Sequence, residues 1–201
     1  MLLLARPAKT EAQNADITIL RQIQVFRIHN SQYQGFMNDV TNSVYPITLA
    51  LPIGQLIYEF STHDTAMIVD GFKTIGALAI NTVITSGLKY AIDRPRPFKT
   101  YPDIHPYKYD GDPSFPSGHT SYAFSVATIL TLEYKKWYIA VPAYAWAATA
   151  GYSRLYLGEH YPSDVAVGAI VGAGSAWLSY KGSAWLLHHR KKQVHTPHIG
   201  S

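Results

Sequence analysis

The sequence predicts an all-α fold: a polytopic membrane helical bundle of about five spanning helices, with an N-terminal amphipathic helix ahead of them. Three observations carry this expectation. Five apolar segments recur, and each reaches the roughly 17–25 residues that a membrane-crossing helix needs once flanking aromatic residues are counted. No strand-like alternation or repeat period interrupts them. Tyrosine and tryptophan, 15 and 4 in number, gather at the ends of these segments, where a bilayer interface favours them.

Bulk composition bounds the answer without deciding it. A chain of 201 residues can bury the core of one domain, and 47% apolar content with a mean hydropathy of −0.04 suits soluble and membrane chains alike. The polar residues are concentrated in 5–43 and 93–118, so the average understates the apolar segments. The absence of cysteine excludes disulfides, thiolate nucleophiles and zinc–thiolate sites. A net charge of +4 without long basic runs argues against nucleic-acid binding.

In chain order, residues 1–15 read as a tail or the remnant of a signal peptide. From Asp16 to Val40, Ile17, Leu20, Ile23 and Phe26 recur at helical spacing against Arg21, Gln24 and Arg27. That is an amphipathic helix for the membrane interface or for the bundle surface. The expected spans follow at Val44–Phe60, Met67–Ile92, a helix opening near Gly118 and running through Ala123–Leu132, Trp137–Tyr152 and Val165–Trp185. Five buried helices of a soluble protein would give the same hydropathy. Gly168 and Gly172 form a small-xxx-small pair suited to close helix contact. Residues 16–187 read as a single domain and 188–201 as a basic C-terminal tail.

Charge placement suggests an orientation. If the loops around 93–118 and 153–164 share one side, the other side carries Lys135, Lys136, Lys181, Arg190, Lys191 and Lys192. Loops rich in lysine and arginine stay cytoplasmic, so the first side would face outward. Lys89, Arg94, Arg96 and Arg154 run against this unless chemistry retains them.

Three clusters hold chemistry-bearing residues. Lys89 ends an apolar helix, and Pro95 and Pro97 force extended backbone that directs Arg96 away from the helix axis. In Pro116-Ser117-Gly118-His119, Ser117 suits a helix N-cap, Gly118 permits close approach to the backbone, and the first-turn N–H groups would face an anion together with His119. In Ser153–Asp164, Arg154 offers a planar fork for phosphate oxygens, while His160 with Asp164 four residues on can be a nucleophile or a base held in one tautomer. Taken singly, each has a plain explanation: a snorkelling lysine, a capped helix, a surface histidine. His29, His63, His105, His188, His189, His195 and His198 lack such a pattern and read as surface residues.

Together, Lys89-x6-Arg96-Pro97, Pro116-Ser117-Gly118-His119 and Ser153-Arg154-x5-His160-x3-Asp164 resemble the signature of the type 2 phosphatidic acid phosphatase (PAP2) superfamily, in order and without substitution, over about residues 38–180. The resemblance implies a PAP2/haloperoxidase-like helical core and metal-free, cofactor-free hydrolysis of a phosphate ester. It implies His160 as nucleophile, Asp164 as its orienting partner, and His119 as the acid that protonates the leaving oxygen. Lys89, Arg96, Ser117, Gly118 and Arg154 would hold the phosphate oxygens. The implied protein is a lipid phosphatase of the bacterial inner membrane with its site facing the periplasm, its partners being membrane lipids and a lipid phosphate substrate. Undecaprenyl diphosphate, phosphatidylglycerophosphate, phosphatidate and lipid A phosphates are candidates. A soluble periplasmic acid phosphatase and a vanadium haloperoxidase share these residues. Specificity is expected in Phe98–Phe115, where Asp103, His105, Tyr107, Lys108 and Asp110 could meet a head group, and in the amphipathic helix.

Overall fold

A computed structural model describes the backbone of residues 11–62 and 65–194, and the side chains of 14–62 and 70–185. It is helical, with no strand among the described residues. Helix α1 (Glu11–His29) leads through a 3-10 turn at Ser31–Tyr33 into α2 (Gln34–Thr62). Then come α3 (Thr65–Ile92), the short α4 (Pro97–Thr100), α5 (Gly118–Tyr134), α6 (Trp137–Tyr156) and α7 (Pro162–Val194). Helices α2, α3, α5, α6 and α7 are those expected from the apolar segments. Their alternating directions put the loops 93–117 and 157–161 at one end of the bundle and the α2–α3 and α5–α6 turns at the other.

Helix α5 is the hub and packs against α2, α3, α6 and α7. Its residues explain why. Ala123 and Ala127 join Val44, Ala147 and Ala150 in a core of small side chains, which lets four helices approach it closely. The tightest approach is to α7. A Cβ on Gly168 would stand 2.7 Å from the Ser117 carbonyl oxygen, and one on Gly172 would collide with the carbonyl of Ser121. The small-xxx-small pair is therefore a helix contact, as its spacing predicts.

The N-terminal expectation needs correction. The helix drawn from Asp16 to Val40 ends at His29, and residues 34–40 belong to α2. Around Asn30 the backbone finds local partners instead: the Asn30 side chain donates to the Phe26 carbonyl, and its N–H bonds Arg27. The buried stripe of α1 is the apolar one proposed only in its first half. Ile17 and Leu20 pack against Ile104 and Tyr161, but Phe26 is exposed and Gln24 is buried. Gln24 faces inward because the last turn of α6 has orphan carbonyls, and its Nε2 donates to those of Leu155 and Tyr156. At the ends, α1 starts within the stretch read as a tail, and α7 continues through Val194 into the stretch read as a basic tail. Residues 1–10 of the stretch 1–15, read as a tail or signal remnant, lie outside the described residues.

Candidate active site

At the loop end of the bundle is a cavity of about 310 Å³, lined by Lys89, Arg96, Gly118, His119 and His160, with Tyr45, Asp110 and Asp112. Three separate stretches of sequence meet there. Lys89 reaches it from the last turn of α3, and Gly118 and His119 from the first turn of α5. Arg96 comes from the extended backbone before Pro97, which starts α4 with its missing N–H at no cost. His160 follows the end of α6, where Gly158 adopts φ +73°, a left-handed turn that glycine accepts without a Cβ penalty.

His160 is almost wholly buried. Its Nε2 lies 3.5 Å from Arg96 Nη1, on the cavity side. Its Nδ1 is 3.5 Å from Asp164 Oδ2, too long for a strong direct hydrogen bond, and 3.4 Å from Ser114 Oγ. The Ser114 hydroxyl donates in a short bond to that same Asp164 oxygen. Ser114 thus bridges the pair, accepting from the ring and donating to the carboxylate. Asp164 also accepts from the Tyr161 N–H, and its other oxygen from Arg94 Nη1 at 2.7 Å.

The cations come with their own counter-ions. Asp112 bonds Lys89 at 2.8 Å and Arg96 at 2.5 Å. Asp110 lies 3.3 Å from both Arg96 and Arg154, and Arg154 forms a short ion pair with Glu159. Buried charges require such partners. Lys89 also donates to the Pro113 carbonyl, and Arg154 to Thr41 Oγ1. Burial works to raise the Asp112 carboxyl, but the Lys89 hydrogen bond and the Arg96 charge prevail and hold it at about 2. Burial prevails at Glu159, which rises to about 7 despite Arg154. Burial also takes the His160 imidazole down to about 4.

Not every expected residue faces the cavity. Asp164 stands behind His160, and Arg154 joins the site through Asp110. Ser117 occupies the N-cap position by its backbone, but its hydroxyl makes no cap and accepts instead from Thr120 Oγ1. In the 98–115 loop, Asp103 pairs with Arg21, and the His105 carbonyl receives Arg27. His105 and His29 are exposed, as expected of surface residues, while the remaining five spare histidines have no described side chain. Sequence reasoning weighed Glu159 as a partner of Arg154, which it is, but passed over Asp112, Ser114 and Tyr45, whose ring sits edge-on to His119 at 4.6 Å. Ser114 had one signal, its place two residues before Pro116 in a motif already singled out.

A buried imidazole backed by a carboxylate, with a second imidazole and cations around one anion-sized cavity, is the equipment of a phosphoryl-transfer hydrolase. The PAP2 superfamily matches residues 70–187, more than half of the chain, and the chain belongs to that superfamily as a phosphatase. It is 41% identical over 159 residues to a lipid A 4'-phosphatase of Bacteroides thetaiotaomicron, covering 76% of this chain and 71% of that one. It is 31% identical over 157 residues to the undecaprenyl-diphosphatase BcrC of Bacillus subtilis, covering 77% of each. The crystal structure of Aquifex aeolicus LpxE superimposes with a TM-score of 0.73 at 27% identity, covering 83% of this chain and 95% of that one.

Proposed function

We propose that the protein is an integral membrane lipid phosphatase that hydrolyses a phosphate or diphosphate head group through a phosphohistidine on His160. The observation that carries this reading is the setting of His160. Its Nε2 is turned to a cavity that also holds Lys89, Arg96, Gly118 and His119, while its Nδ1 is held from behind by Ser114 and Asp164. With the proton kept on Nδ1, the Nε2 lone pair is free to attack phosphorus in line. As the N–P bond forms, the P–O bond to the lipid breaks, and His119 supplies the proton to the departing oxygen. His119 then takes a proton from water, whose oxygen displaces His160 and releases inorganic phosphate.

The phosphoryl charge is met by Lys89, Arg96 and Arg154 and by N–H groups at the start of α5, so a cationic nest does the work that a metal does elsewhere. Asp110, Asp112 and Glu159 hold these cations until a phosphate takes their place. The lipid itself has a route. Tyr45 lines the catalytic cavity and also a 390 Å³ groove formed by Thr48, Leu49, Pro52, Ile75, Leu78 and Tyr122. An apolar chain in that groove would leave its phosphate beside His119. Lipid A phosphates and undecaprenyl diphosphate, named by the relatives, are the leading candidates.

The test is phosphate release by the purified protein from a panel of lipid phosphates and diphosphates, with soluble phosphomonoesters alongside. His160→Ala should abolish release, and acid-labile label from a radioactive substrate should be lost with it. Full residual activity in His160→Ala overturns the mechanism.

A further inference from the structure

We infer that Asp16, on α1, is a positioning residue for the catalytic histidine, acting through Arg94 on the Asp164 carboxylate behind His160. The inference rests on the reading of His160 as nucleophile. Asp16 is a buried carboxylate with a full set of partners. Its Oδ1 accepts the backbone N–H of Ser163 at 2.9 Å, and its Oδ2 accepts from Ser163 Oγ at 2.5 Å and Arg94 Nη2 at 2.9 Å. Ser163 lies in the first turn of α7, where N–H groups have no partner within the helix. Asp16 therefore caps from outside the helix start that carries Asp164 as its next residue.

Arg94 completes the link. Its Nη1 donates to Ser163 Oγ and to Asp164 Oδ1, both at 2.7 Å, while its Nη2 is taken by Asp16. The guanidinium carbon lies over the Tyr161 ring, 3.9 Å from the centroid. A planar fork fixed at both ends and on one face cannot turn without losing a charged bond. One positive charge thus serves two carboxylates. When Asp16 shares it, Asp164 keeps enough negative charge to stabilise the imidazolium that develops as His160 bonds phosphorus. Without Asp16, the whole charge of Arg94 falls on Asp164 and weakens that support. Asp16 also lies outside the 70–187 region matched to the superfamily, so α1 adds it to a core that already holds the nucleophile.

The test compares kcat, KM and inhibition by inorganic phosphate in the full-length protein. Asp16→Asn keeps the shape and removes the charge. It should lower kcat about tenfold, the scale of one charge-assisted bond, with KM and phosphate inhibition within about twofold. Asp16→Glu should recover most of kcat. Arg21→Ala, which breaks the exposed Arg21–Asp103 pair tying α1 to the neighbouring loop, should leave kcat unchanged. In an Arg94→Lys background, where the fork is already lost, Asp16→Asn should cost nothing further. Wild-type kcat in Asp16→Asn, an equal loss in Arg21→Ala, or additive losses in the double variant overturns the inference. If His160→Ala is inactive while Asp16→Asn is unaffected, the inference alone fails and the proposed function stands.

Discussion

The His160 ring is kept neutral by burial first, helped by the Arg154 and Arg96 charges and opposed by Asp164, so its value falls from 6.5 to about 4. Because the folded value lies below the unfolded one, this group's contribution to stability is complete above about pH 6.5 and is lost as pH falls towards 4. The same titration governs chemistry, since an imidazolium has no lone pair for phosphorus. We expect the acid limb of kcat/KM near pH 4. Glu159, raised to about 7, sets a second limit: once ionised it competes with phosphate for Arg154. The rate should decline above pH 7, and Glu159→Gln should move that decline to higher pH. An acid limb at or above pH 6.5, or an identical profile in Glu159→Gln, counts against these assignments. Lys89, Arg96, His119 and His160 were singled out in the sequence by their places beside a proline, glycine or helix end, and they line one cavity; Arg154 and Asp164, singled out in the same way, stand behind it. Asp112 and Asp16 were not singled out. Their partners are 16 and 78 residues away, across loops whose paths no local pattern encodes.

At the scale of elements, the contact of α5 with α7 fixes the site, since one helix carries His119 in its first turn and the other Asp164 in its own. The Ser117 N–H donates to the Asp164 carbonyl at 3.0 Å, tying the two helix starts together. Lower down, backbone meets backbone at Gly172. Gly172→Ala should force the helices apart, at a cost of about 1–3 kcal/mol or more, and lower both melting temperature and activity. Gly174 has nothing within 4 Å of its would-be Cβ. Gly174→Ala should be neutral or stabilising by about 0.5–1 kcal/mol, because alanine suits a helix interior better. Equal effects of the two variants in a thermal melt would show that the contact does not hold the bundle. Here the sequence was partly readable. Gly168 and Gly172 announced a close contact, but not that α5 was the partner. The stripe of α1 misled because its inward face answers the polar end of α6, a demand invisible to hydrophobic periodicity.

For the whole molecule, the pattern of burial is reversed from that of a water-soluble bundle. Asn81, Ser121, Ser125, Ser153 and Ser175 are buried, whereas Leu49, Ile53, Ile57, Val83, Val141 and Ile170 are exposed along the long helices. Polar residues inside also explain why only one stretch among the described residues, Asp70–Thr100, is apolar enough by itself to count as a membrane span. The exposed faces, not the average, mark the lipid-facing surface. The bundle is then oriented by charge. Arg96 and Arg154 at the site end are buried in ion pairs, and Lys89 and Arg94 are tied to Asp112, Asp16 and Asp164. They are held there for the site. Lys135, Lys136 and Lys181 are exposed towards the opposite end, which the positive-inside rule would assign to the cytoplasm. The site should therefore open on the outer face. The lack of cysteine makes this directly measurable. Tyr109, exposed on the site-end loop, and Lys136, in the opposite turn, can each be replaced by a single cysteine. In intact spheroplasts a membrane-impermeant maleimide should label Tyr109→Cys and leave Lys136→Cys unlabelled until the membrane is permeabilised. The reverse pattern would place the site in the cytoplasm, and labelling of both in a washed, detergent-free supernatant would return the protein to the soluble class.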